Sequence, residues 1–211
     1  MNFFLAFLAS AIPAYLLGSV NGAIITSKLL YRKDIRKFGS GNPGLTNFYR
    51  VFGKWGTLLV AAIDVFKTIA PVLFGGWLFG ELFDMTFFGR AMSGYFVMMG
   101  HCFPVFYKFK GGKGIMAAGA ILFFLDWRMA LISWGTFVIV LALTRYVSLG
   151  SIIGGAMFPA SLLLLNLGGA WEFTAMLLCS LLILIRHEGN IRRLIRGEES
   201  KFSFKRDKDK D

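Results

Sequence analysis

Seven apolar runs separated by short polar segments govern what this chain can become. They fall at about Phe3 to Leu30, Thr57 to Phe79, Thr86 to Gly100, Ile115 to Leu125, Met129 to Thr144, Val147 to Leu167 and Phe173 to Ile185. A helix needs about 20 apolar residues to cross about 30 Å of hydrocarbon, where no water is present to satisfy an open backbone. The expectation is an all-α integral membrane protein with seven transmembrane helices. The first, second and sixth runs are long enough to cross unaided, whereas the third and especially the fourth are short. A hydrophobic share of 56% excludes an ordinary soluble domain. The opening MNFFLAFLAS lacks the positive n-region of a secretory signal, and its apolar character continues to about Leu30, so it reads as a retained first span.

The formal charge of +11 would suit a nucleic-acid binder if the basic residues formed one patch. They are instead confined to alternate connections. Arg32, Lys33, Arg36, Lys37, Arg50 and Lys54 follow the first run, Lys108, Lys110 and Lys113 follow the third, and Arg186, Arg192, Arg193 and Arg196 follow the seventh. The other side carries Arg90 and Arg128 beside Glu81, Asp84, Asp126 and Glu172. The positive-inside rule then places the N-terminus outside and the C-terminus in the cytoplasm, and it argues against a nucleic-acid partner. Residues 1–200 read as one membrane domain and 201–211, KFSFKRDKDKD, as a charged, flexible tail. Cys102 and Cys179 are too few and too far apart for a disulfide framework, and no cluster has metal-ligand spacing.

Three polar segments on the basic side carry the chemistry. Gly39 to Arg50, GSGNPGLTNFYR, combines small residues that let backbone N–H groups approach a ligand with the side-chain donors Ser40, Asn42, Thr46, Asn47 and Arg50. That composition suits phosphate oxygens, although the spacing is not that of a nucleotide-binding Walker loop. Gly100 to Gly114, GHCFPVFYKFKGGKG, delivers Lys113 to the start of the fourth run, where the exposed N–H groups of a helix favour an anion. The third segment, HEGNIRRLIRGEESK from His187 to Lys201, reads as an amphipathic helix along the membrane surface. His187 and Asn190 share a face, and Arg192, Arg193 and Arg196 contact headgroups.

Within the second run, Asp64 and Lys67 lie three apart. Each costs about 2.5–3.5 kcal/mol at a helix centre, so they are expected to pair. Anion ligands beside a lipid-accessible bundle suit a reaction in which a soluble phosphorylated molecule meets an acyl chain. A His–Asp acyltransferase dyad is missing, because Phe106 follows His101 at that spacing and Arg192 follows His187. A transporter of phosphorylated metabolites, or a scaffold for lipid-synthesis enzymes, remains compatible with the same residues.

The three segments, in this order, resemble the signature motifs of the bacterial acyl-phosphate:glycerol-3-phosphate acyltransferases. The likeness extends over nearly the whole chain and includes the runs YLLGS at Tyr15 to Ser19 and SLGS at Ser148 to Ser151. It implies transfer of a fatty acyl group from acyl phosphate to the 1-hydroxyl of sn-glycerol 3-phosphate, giving 1-acylglycerol 3-phosphate (lysophosphatidic acid) and phosphate, in the bacterial cytoplasmic membrane with the site facing the cytoplasm. It further implies that Ser40, Gly41, Asn42, Thr46, Asn47 and Arg50 cradle phosphate and that Lys113 neutralises a second charge. His187 and Asn190 would orient glycerol 3-phosphate or the acyl carbonyl, and Glu199 and Lys201 match the third motif. No cofactor is implied. Membrane lipids and the enzyme that makes acyl phosphate are the remaining expected partners.

Overall fold

The computed structural model describes residues 1–202, and among them every regular element is helical. The α-helices are α1 (Phe3–Gly18), α2 (Gly22–Tyr31), α3 (Leu45–Phe52), α4 (Lys54–Phe83), α5 (Thr86–Cys102), α6 (Ile115–Leu125), α7 (Trp127–Thr144), α8 (Val147–Leu164), α9 (Ala170–Arg186) and α10 (Glu188–Ile195). All seven apolar runs are therefore helical. Among the described residues, four segments are long and apolar enough to cross a membrane: Phe3–Tyr31 taken as one, Lys54–Phe83, Trp127–Thr144 and Val147–Leu164. Ala170–Arg186 with Glu188–Ile195, bent by 58°, makes a fifth if the pair counts as one span. At 17 and 11 residues, α5 and α6 do not reach that length.

The first run is broken where one continuous helix was expected. It stops at Gly18 and restarts after Asn21, whose side chain accepts the Ile24 N–H at 2.9 Å. Such a break leaves backbone groups open, which hydrocarbon tolerates only where protein satisfies them. Here α4 does so: Lys67 Nζ donates to the Val20 carbonyl at 2.5 Å, and Asp64 Oδ1 accepts the Gly22 N–H at 3.2 Å. Lys67 and Asp64 themselves pair at 2.8 Å, as their spacing predicts.

Helix α5 is the packing centre, lying against α1, α4, α6 and α9. At its crossing with α4, a Cβ on Gly89 would stand 2.1 Å from the Gly75 carbonyl, so the two backbones meet without side chains between them. Small polar residues tie the rest: Ser133 Oγ donates to the Gly154 carbonyl at 2.8 Å between α7 and α8, and Ser180 Oγ to the Gly155 carbonyl at 2.7 Å between α9 and α8. Large apolar side chains such as Leu131, Val138, Ile139 and Leu143 of α7 remain exposed, as a lipid-facing surface requires.

The glycine-rich segment from Gly39 to Arg50 becomes a helix at Leu45. α3 is amphipathic, burying Phe48 against Tyr31 and Phe52, a face the turn-rich start of the segment concealed. At the other end, Lys201 and Phe202 of the expected tail are described, and the Phe202 N–H donates to the Arg145 carbonyl at 2.7 Å. Residues 203–211 of that tail lie outside the described residues.

Candidate active site

The three polar segments converge at one end of the bundle, around a cavity of about 870 Å³. In the first segment, Gly39 and Gly41 have φ of 57° and 72°, a left-handed backbone that side chains resist. Asn47, buried at the start of α3, holds this turn. Its Oδ1 accepts the Ser40 N–H at 2.9 Å and its Nδ2 donates to the Phe38 carbonyl at 3.0 Å, so its amide braces the loop. Ser40, Asn42, Thr46, Asn47 and Arg50 line the cavity. Gly41 does not. It borders a second, basic basin of about 670 Å³, which shares Ser40 and Asn42 with the first and is lined also by Lys37, Lys108 and Arg186.

The second segment is fixed by an arginine that its position after the seventh run marks only as a topological charge. Arg186, at the end of α9, donates through Nη2 to the Gly111 carbonyl at 2.8 Å and through Nε to the Gly112 carbonyl at 3.0 Å. Lys113 follows, and α6 begins two residues later with no acidic residue or side-chain cap in its first turn. The start of α6 therefore keeps its positive dipole end open to an anion, as expected.

From there a chain of polar contacts spans the cavity mouth. Lys113 Nζ donates to Asn190 Oδ1 at 2.5 Å, Asn190 Nδ2 donates to Glu199 Oε1 at 2.6 Å, and Arg193 Nε donates to Glu199 Oε2 at 2.7 Å. Burial pulls the Lys113 ammonium down to about 8, with Glu199 opposing and Arg193, Arg186 and Arg50 adding to the fall. Burial alone would raise the Glu199 carboxyl, but the donors Asn190 Nδ2 and Arg193 Nε hold it below its ordinary value. Arg193 thus belongs to the cavity, where the sequence placed it on the headgroup face. Its spacing of three from Asn190 was the available signal.

His187 lies at the bend between α9 and α10, 2% exposed, with Nδ1 at 2.8 Å from the Ile183 carbonyl. A carbonyl only accepts, so Nδ1 carries the proton and Nε2 of the neutral ring keeps its lone pair. His187 and Asn190 both face the cavity, as their shared helical face implied. Away from this polar mouth the walls turn apolar, with Phe137, Val138 and Phe158, and with Phe123 and Trp134 stacked at 6.3 Å. Phe123, Trp134 and Val138 are also exposed on the outer surface, so the cavity reaches the apolar flank of the bundle.

Fold and site together define a polytopic, all-helical membrane protein with a basic cavity that reaches its apolar flank. The family model described as Glycerol-3-phosphate acyltransferase matches residues 8–197, and the chain belongs to that family of membrane enzymes. It is 40% identical over 200 residues to the glycerol-3-phosphate acyltransferase of Thermoanaerobacter pseudethanolicus, covering 93% of this chain and 96% of the relative. Against the Francisella philomiragia enzyme it is 38% identical over 192 residues, covering 91% of each chain. Among solved structures, it resembles PlsY (YgiH), an integral membrane glycerol 3-phosphate acyltransferase. The glycerol 3-phosphate form of that protein matches with a TM-score of 0.83 and 32% identity over 93% of this chain and 96% of that one. The lysophosphatidic acid form matches with a TM-score of 0.81 and 31% identity over 93% and 95%.

Proposed function

We propose that this chain transfers a fatty acyl group from acyl phosphate to the 1-hydroxyl of sn-glycerol 3-phosphate, releasing 1-acylglycerol 3-phosphate and inorganic phosphate. The observation that carries the proposal is the Lys113–Asn190–Glu199–Arg193 chain at the polar mouth of an otherwise apolar cavity. Such a site places an anion at one end and an acyl chain at the other. Family membership supplies the acceptor class, and the glycerol 3-phosphate and lysophosphatidic acid forms of the related PlsY are consistent with acceptor and product.

In this reading Ser40, Asn42, Thr46, Arg50 and Lys113 hold phosphate oxygens, with Gly41 and Asn47 shaping the loop that presents them. His187 and Asn190 orient glycerol 3-phosphate. The hydroxyl oxygen attacks the acyl carbonyl carbon, the bond from that carbon to the phosphate oxygen breaks, and the hydroxyl proton goes to the departing phosphate. An acyl phosphate is an activated mixed anhydride, so orientation and charge stabilisation replace a strong protein base. The absence of a His–Asp dyad accords with that. A pH–rate profile whose limiting base disappeared in His187→Ala, with acyl phosphate binding intact, would assign the proton to the histidine instead.

The placement of basic residues supports seven spans with the N-terminus outside, and a site that faces the cytoplasm from the bacterial inner membrane. Residues 1–200 would form one catalytic domain, with 201–211 as an appended tail. The partners are acyl phosphate, glycerol 3-phosphate, membrane lipids and the enzyme that makes the donor. Purified protein given palmitoyl phosphate and labelled glycerol 3-phosphate should yield labelled lysophosphatidic acid. Label carried into liposomes without that product would overturn the reading in favour of transport.

A further inference from the structure

We infer that Asp64, Lys67 and His101 form a buried positioning strut that sets the Gly111–Lys113 loop against the Gly39–Gly44 loop. The inference rests on the reading that both loops hold substrate phosphate. The three side chains come from α4 and α5, and none is more than 7% exposed. Lys67 is the hub. Its ammonium has three N–H donors, and Asp64 Oδ1 at 2.8 Å, the Val20 carbonyl at 2.5 Å and His101 Nδ1 at 2.8 Å take all three. Because Nδ1 accepts, the ring proton lies on Nε2 and His101 is neutral.

The opposite edge of the ring meets the loop. A Cβ built on Gly112 would stand 2.3 Å from His101 Nε2 and 3.1 Å from the Pro43 carbonyl, so Gly112 is held between the histidine and the first segment. The Gly112 N–H donates to the His101 carbonyl at 3.1 Å, and Asn21, at the break in the first span, donates through Nδ2 to the same Pro43 carbonyl at 3.2 Å. Both loops are therefore referenced to one point, which α4 anchors and the broken first span shares. Asp64 and Lys67 cancel in charge, so the array contributes rigidity to the cavity wall rather than another anion ligand.

A purely structural ion pair and a positioning strut differ in what neutral replacement does. Exchanging a buried pair for apolar residues of similar volume often preserves folding. In Asp64→Leu with Lys67→Met, the strut predicts a folded, monodisperse protein whose kcat/KM for glycerol 3-phosphate falls by roughly ten- to a hundredfold, the scale on which misplaced groups impair catalysis. Full activity in that variant would overturn it. His101→Asn keeps an acceptor for Lys67 but removes the ring edge from Gly112. It should unfold within a few degrees of wild type, with KM for glycerol 3-phosphate raised by about tenfold or more. Because the strut acts through the loop bearing Lys113, adding His101→Asn to Lys113→Ala should cost little further. Unchanged kinetics in His101→Asn, or losses that simply add, would remove the assignment. If wild-type protein makes no product from palmitoyl phosphate, the donor assignment fails. Calorimetry with glycerol 3-phosphate alone then tests the strut, weaker binding in His101→Asn supporting it and equal binding ending it.

Discussion

Lys113 works close to the limit of its own charge. With its pKa drawn from 10.5 to about 8 by burial, it is an ammonium at neutral pH and loses the proton where a free lysine would keep it. An anion in the cavity prefers the ammonium, so affinity for glycerol 3-phosphate should weaken as pH rises above about 8, as measured by calorimetry. Stability of the empty enzyme moves the other way. Between about 8 and 10.5 the unfolded chain binds the proton and the folded one does not, so unfolding free energy rises with pH across that window. Lys113→Ala and Arg50→Ala should each lower kcat/KM about 10- to 100-fold with folding retained, since in the proposed reaction each would delete a charge-assisted contact to substrate phosphate worth about 1.5–3 kcal/mol. Unaltered kinetics in both would displace the site. At this scale most of the cavity was readable, because Ser40, Asn42, Thr46, Arg50, Lys113, His187 and Asn190 stand out as polar residues in a greasy chain. Arg193 and Arg186 were not, because a basic residue after a membrane helix has the same appearance whether it reaches a headgroup or turns back to a carboxylate or a loop carbonyl.

Among the elements, the short helix α6 is the one whose existence needs neighbours. Eleven residues do not cross hydrocarbon, and its C-terminal carbonyls find Arg90 of α5, whose Nη1 donates to the Phe124 carbonyl at 2.9 Å. Hydropathy alone located α6, but its partner is a matter of tertiary placement that periodicity does not encode. The same holds for the break at residues 19–21, where the Asn21 cap and the Lys67 and Asp64 side chains of α4 together make an interruption tolerable. Where α4 crosses α5, the contact tolerates no added carbon. Gly89→Ala would bring a methyl to 2.1 Å from the Gly75 carbonyl and should destabilise the bundle by about 1–3 kcal/mol, read as a lower thermal midpoint in detergent.

Across the whole molecule, the cavity joins a basic end to an apolar flank, and its apolar arm offers a way to separate the two proposed substrates experimentally. Gly119 of α6 faces Trp134, with a built Cβ only 2.8 Å from the indole nitrogen. Gly119→Leu should fill that arm. Turnover of long-chain acyl phosphates should fall well below that of short-chain ones, while KM for glycerol 3-phosphate stays close to wild type. Equal loss for all chain lengths would place the acyl chain elsewhere.

That two-faced cavity also determines what concentration means for this enzyme. In the proposed reaction, a donor reaching the cavity from the lipid side, where Phe123, Trp134 and Val138 are exposed, is counted per unit of bilayer area, while an acceptor arriving past Lys113 is counted per unit of volume. Adding inert lipid at constant total donor should therefore slow the reaction as if substrate had been diluted, whereas enlarging the aqueous volume at fixed glycerol 3-phosphate concentration should leave each vesicle's rate unchanged.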